Sequence, residues 1–155
     1  METYNHRPRR ICGICGYVDF HNPVPAAGAI VVKDRRLLLV RRAEHPYKDD
    51  WCIPAGYMEW DESPRECAER ELKEETGLDI KAGEVFEVYS GTDDPRTNAV
   101  LILYFCEVIG GQAVAGDDAA DLRFFALDEI PKNIAFEAHR QALKDLQRRF
   151  PNLLG

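Results

Sequence analysis

The stretch from Gly56 to Leu78, GYMEWDESPRECAERELKEETGL, constrains this chain more than any other, because it specifies a helix and then puts acids on the side that should be buried. Ser63 can cap the helix, Pro64 suits the first helical position, and Glu66 stands where a capping-box carboxylate reaches back. Gly77 supplies the left-handed residue that ends a helix, so the spacing predicts a helix over Pro64 to Thr76. At about 100° per residue from Pro64, Cys67, Ala68 and Leu72 define an apolar arc, while Arg65, Glu66, Glu69, Arg70 and Lys73 spread over the wet face. Glu71, Glu74 and Glu75 then fall on or beside the apolar arc. An acidic run is ordinarily a solvated face paired with residues such as Arg70 and Lys73. Here, carboxylates three and four residues apart would repel, and burying them is costly unless they are paired or hold a metal. A hard divalent cation, Mg2+ or Mn2+, removes both penalties.

The spacing resembles a known signature. Gly56, five residues, Glu62, seven residues, then Arg70-Glu71-Leu72-x-Glu74-Glu75-x-Gly77-Leu78 is similar to the box of the Nudix (MutT-like) hydrolases, with every fixed position filled. Trp51 to Gly56 and Phe124 to Pro131 extend the likeness on either side. The resemblance implies an α/β fold, a mixed β-sheet sandwiched between α-helices, and a hydrolase of phosphoric anhydrides. It implies that Glu71, Glu74 and Glu75 hold the metal together with the Gly56 carbonyl, or that Glu71 acts instead as general base. Glu62 and Arg70 are implied to orient these acids without touching metal. The resemblance also implies a further acid, before the strand at Leu122 to Ala126, that completes the metal site or serves as base. Asp118 is the candidate, with Asp117 and Asp121 behind it, although glutamate is the commoner residue there.

The full length fits one domain with a full core: 155 residues with 45% hydrophobic content. A net charge of −7 disfavours a nucleic-acid partner, since phosphate backbones attract positive surfaces. No apolar run reaches the roughly 18 residues of a membrane helix. The opening METYNHRPRR lacks the apolar core of a signal peptide and reads as linker-like. Five scattered cysteines suggest reduced thiols, and so a cytoplasmic location.

Cys12-Gly-Ile-Cys15-Gly is half of a zinc-ribbon motif. Four ligands are needed, and His6, His21 or a second subunit could complete a Zn2+ site; a plain tight turn is the alternative. With Asn22 to Gly28 following, this half-ribbon resembles the ribbon-bearing Nudix branch that acts on dinucleotides and ADP-ribose. Residues 1–22 are therefore taken as an N-terminal arm and 23–155 as the hydrolase domain, with the arm a plausible contact in a homodimer.

Ala26 to Val32 and Leu37 to Val40 are apolar runs around a Lys33–Arg36 turn, which predicts a hairpin. Strands are expected over Asp79 to Tyr89 and Asn98 to Val108, and a last helix over about Phe136 to Phe150. Arg41, Arg42 and Arg96 are candidate phosphate-gripping residues, with solvated charge as the alternative. Phe136 is either core or a stacking platform. The resemblance implies that Tyr57, Met58 and Trp60, in the loop beyond Gly56, pack against the substrate. The expected function is divalent-metal-dependent cleavage of the diphosphate in a small nucleotide such as ADP-ribose, NADH or FAD. A nucleotide sensor without catalysis, a nucleoside triphosphate pyrophosphatase, and a prenyl diphosphate isomerase on the same fold are the alternatives.

Overall fold

In the computed structural model, which describes residues Met1–Gly155 throughout, the hairpin expected around residues 33–36 is the centre of the sheet. Strands β4 (Val24–Lys33) and β5 (Arg36–Arg42) are joined by Asp34 and Arg35, both at positive φ, the backbone that a two-residue hairpin turn requires. Three longer strands complete the sheet: β8 (Leu78–Gly91), β9 (Ala99–Gly111) and β10 (Ala119–Phe125). Their order is β10-β5-β4-β9-β8, with β9 parallel to β4 and the other pairs antiparallel. Two short strands, β6 (Trp51–Cys52) on β5 and β7 (Ala55–Tyr57) on β4, bring the chain back across the sheet just before the first helix.

β4 is buried on both faces, which is why it reads as an unbroken apolar run. Ala26 and Ile30 point to one face, joining Leu37, Leu39, Trp51 and Leu103 beneath helix α2 (Glu137–Arg149) through Leu143 and Leu146. Ala27, Ala29 and Val31 point to the other, joining Leu38 beneath helix α1 (Pro64–Thr76) through Cys67, Ala68 and Leu72. The mixed sheet is thus held between two helices, in an α/β sandwich.

α1 has the ends its sequence specifies. The Ser63 hydroxyl accepts from the Glu66 N–H and the Glu66 carboxylate accepts from the Ser63 N–H. Gly77, at φ 74°, donates its N–H to the Lys73 carbonyl and turns the chain directly into β8. α2 begins one residue later than expected, because Phe136 lies at φ 67°, outside helical space.

The first residues depart from the linker reading. β1 (Glu2–Tyr4), β2 (Arg7–Ile11) and β3 (Val18–Asp19) form a separate antiparallel sheet. Its polar composition hides the two contacts that hold it: the Tyr4 ring edge-on to Phe20, and the Arg9 guanidinium 4.5 Å over the same ring. The C-x-x-C segment is the tight turn between β2 and β3, closed by the Gly16 N–H on the Cys12 carbonyl and the Cys12 N–H on the Tyr17 carbonyl, both 2.9 Å. No helix is long and apolar enough to cross a membrane.

Candidate active site

The return of β7 over β4 places Gly56 directly above α1. Its carbonyl accepts from the Cys67 thiol at 3.5 Å, and a Cβ at this position would overlap the Glu71 carboxyl group. Only glycine lets the acid lie there. Glu71 is 15% exposed, and burial raises its pKa against the opposing pull of Arg70. One turn on, burial raises the Glu75 pKa well above the carboxylate range, and the neighbouring charge of Glu71 adds to this. Glu75 Oε2 is sealed from solvent with no hydrogen-bond partner. A sealed acceptor with no donor, beside a second half-buried carboxylate, is the arrangement that a divalent cation would relieve. The residues present therefore fit Mg2+ or Mn2+, as oxygen donors alone.

Glu74 departs from the expectation. It is 41% exposed and turned away from the cleft, held by Arg70 at 3.1 Å. Its position at the edge of the apolar arc leaves it free to follow that arginine, four residues back, toward water. Arg70 is the hub of this face: it also binds Glu62 at 2.6 Å, Glu71 at 2.8 Å and the Tyr57 carbonyl at 3.0 Å. Glu62 accepts in addition from the Glu59 N–H, and these bonds, led by Arg70, hold its carboxyl down at about 2.

Glu71 and Glu75 form one wall of a cleft of about 350 Å3. Asp118 lines the same cleft, and its charge contributes to the raised pKa of Glu75. Asp117 and Asp121 do not line it; Asp121 is paired with Arg123. Arg42 and Arg96 both reach the cleft, Arg96 through a bidentate bond to Asp94. Arg41 does not, because it is the outward residue of the strand and pairs with Asp49. Phe136 lines the cleft but is packed by protein, with Tyr47 edge-on at 4.9 Å and the Arg42 guanidinium 5.0 Å from its ring centre. Tyr57 faces the cleft, Met58 packs against the core beneath α1, and Trp60 is fully exposed away from both.

The zinc reading of Cys12 and Cys15 gains no support. Both thiols are exposed on their turn, and no third Cys, His, Asp or Glu gathers with them, whereas structural zinc takes four ligands.

Sequence reasoning missed His139, Asp93 and Asp94, which all line the cleft. His139 was detectable, as it lies four residues before Leu143 on the buried stripe of α2. The two aspartates sit in a turn-rich loop with no local sign of burial.

The chain is similar to known proteins in sequence and in fold. The NUDIX domain model covers residues 22–146. An ADP-ribose pyrophosphatase of Methanocaldococcus jannaschii is 41% identical over 128 residues, covering 82% of this chain and 75% of that protein. A crystal structure of a Nudix hydrolase from Nitrosomonas europaea superposes with a TM-score of 0.83 at 31% identity, over 93% of this chain and 81% of that one. The bifunctional NMN adenylyltransferase/ADP ribose pyrophosphatase of Francisella tularensis, solved with AMP and a Mn ion, superposes with a TM-score of 0.69 at 25% identity, over 84% of this chain and 42% of that one. With its box folded under a glycine, an acid-lined cleft and a family match over most of its length, this chain belongs to the Nudix family and is a hydrolase of the diphosphate-cleaving class.

Proposed function

We propose that this protein hydrolyses the diphosphate linkage of a nucleoside diphosphate joined to a second moiety, with ADP-ribose as the first substrate to test and NADH and FAD after it. The observation that carries the reaction class is the sealed, unpartnered Glu75 Oε2 beside Glu71. The 41% identity to an ADP-ribose pyrophosphatase supports the substrate.

Glu71, Glu75 and the Gly56 carbonyl would hold Mg2+ or Mn2+, which when bound neutralises diphosphate oxygens and acidifies a water. Arg70 keeps the Glu71 carboxylate turned toward Gly56, and Glu62 and Glu74 keep Arg70 in place. Asp118 has no ion-pair partner and lies in the same cleft, so it is the group that accepts the proton of the attacking water. Water oxygen bonds to phosphorus as the bridging oxygen leaves, and two phosphate monoesters result. Arg42 and Arg96 offset the charge of the substrate phosphates.

The net charge of −7 supports a free nucleotide rather than a nucleic acid as partner. Five free thiols support a reducing compartment such as the cytoplasm. The exposed Ile14 and Tyr17 support the arm, residues 1–22, as a contact between two copies, with residues 23–155 as the hydrolase unit.

The test is phosphate-product release from ADP-ribose, NADH, FAD and nucleoside triphosphates with Mg2+ or Mn2+. Turnover of ADP-ribose above the others supports the proposal. Preference for a triphosphate would make the protein a nucleoside triphosphate pyrophosphatase, and tight binding without turnover would make it a sensor.

A further inference from the structure

His139 lies on α2 where that helix faces the cleft, and only one of its ring nitrogens has a partner within the chain. The Ile53 N–H donates to Nδ1 at 3.1 Å. A nitrogen that accepts carries no proton, so the neutral ring must carry its proton on Nε2. The side-chain atoms sealed without a partner are Arg9 Nε, Glu75 Oε2 and Asp93 Oδ1. His139 Nε2 is not among them, so this N–H opens on the cleft that His139 lines.

The surroundings of that N–H define what it can bind. Arg42 spends its Nε on the Pro46 carbonyl at 2.7 Å and lies beside the Cys52 thiol, and its two terminal amino groups have no oxygen acceptor within the chain. Asp93, the acid that acts on the His139 ring, is used up: its Oδ2 takes the Glu137 N–H at 2.9 Å and the Tyr47 hydroxyl at 3.3 Å, and its Oδ1 is sealed. Phe136 has the Arg42 guanidinium 5.0 Å over one face and Tyr47 edge-on at 4.9 Å, so that face is taken by a cation and not open to a base. What remains beside the ring is its own Nε2–H and the amino groups of Arg42, both donors. A sugar hydroxyl or a base edge, which both donates and accepts, is poorly matched there, whereas a phosphoryl oxygen only accepts.

We infer that His139, as a neutral donor through Nε2–H, works with the free amino groups of Arg42 to bind a non-bridging phosphate oxygen of the substrate, in the cleft that Glu71 and Glu75 also line. This rests on the reading of the cleft as a diphosphate site and adds a positioning residue to it. A neutral donor beside Arg42 grips the phosphate without the repulsion that a second cation would bring.

The experiment uses AMP as the probe, measured by calorimetry with adenosine as control, so that it does not depend on turnover. His139→Asn places an amide oxygen near the Nδ1 position and removes the Nε2 donor; His139→Gln places an amide near the Nε2 position and removes the Nδ1 acceptor. The expected result is AMP affinity about tenfold weaker in His139→Asn, with adenosine affinity unchanged. His139→Gln keeps AMP affinity within about threefold while its melting temperature falls. In wild-type protein labelled with 15N-histidine, AMP shifts the protonated Nε2 resonance of His139, which keeps the inference testable if either variant fails to fold. AMP affinity unchanged in His139→Asn, adenosine weakened as much as AMP, no shift of that resonance, or no AMP binding by the wild type would each overturn it. Failure of ADP-ribose turnover with these AMP results intact would instead count against the proposed reaction alone.

Discussion

The carboxyl group of Glu71 occupies the space into which a Cβ on residue 56 would project, so Gly56 and Glu71 can hold their positions only together. This pairing explains why a glycine stands so far upstream of the acids it serves: the turn after β6 lays its backbone flat over the helix, and the acid fills the space where a side chain would be.

Gly56→Ala should therefore displace Glu71 from beneath the β7 carbonyl. Overpacking of this kind costs about 1–3 kcal/mol, which a denaturant midpoint would report. The larger effect should fall on activity, with the metal concentration needed for half-maximal turnover raised at least about tenfold, since the acid is moved out of line. A variant with native metal dependence would show that the acid does not need this position.

Arg70 is the second control on Glu71. It binds Glu62, Glu71 and Glu74 at once, and it does not itself line the cleft. Arg70→Gln should lower stability by about 2 kcal/mol, the scale of hydrogen bonds to charged groups, and weaken Mg2+ activation by roughly 10- to 100-fold. Lysine should not restore it, because a single ammonium cannot make three directed bonds from one plane. Full activity in Arg70→Lys would reduce the role of Arg70 to charge alone.

Glu75→Gln separates folding from chemistry. Folding raises the Glu75 pKa above its ordinary 4.5, so the native state holds that proton more tightly than the unfolded chain. As pH rises past 4.5 the unfolded chain releases the proton first, and metal-free wild type loses stability relative to a variant that has no proton to lose. In chelator, Glu75→Gln should melt higher than wild type by a margin that grows from acid to neutral pH. With Mg2+ present, wild type should regain stability and the variant should not, while turnover of the variant falls by roughly 100-fold or more. Equal activity in the two proteins would remove Glu75 from the site.

Much of this was legible in the sequence, for physical reasons that differ by element. The caps of α1 are local, and Ser63, Pro64, Glu66 and Gly77 carry them within a few residues. The two-faced burial of β4 shows as an unbroken apolar run, though only the fold reveals that Ala26 and Ala27 serve different cores. Helical angle placed Glu71 and Glu75 inward and put Glu74 near the boundary, where angle alone could not decide; Arg70 decided it. Asp93 and Asp94 stayed hidden because what holds them lies far along the chain: the Glu137 N–H of α2 for Asp93, and the Tyr57 hydroxyl of β7 for Asp94. The N-terminal sheet was missed because backbone pairing and one aromatic contact hold it, neither of which shows in hydrophobic periodicity.

His139 gives the chain an acid limit. Burial, with help from the nearby positive charge of Arg42, lowers its pKa from 6.5 to about 4, while Asp93 opposes the shift. Below pH 6.5 the unfolded chain takes up a proton that the native state refuses until about pH 4, so stability falls as pH falls through that window. The full loss is about 3 kcal/mol, from a shift of between two and three units at about 1.4 kcal/mol per unit. His139→Asn has nothing to titrate, so its unfolding free energy should hold steady between pH 6.5 and 4 relative to wild type, and the two curves should converge as pH falls. Parallel curves across that range, measured by urea unfolding in chelator, would mean that the ring is hydrated and titrates normally, and would also remove the fixed Nε2 proton from the cleft.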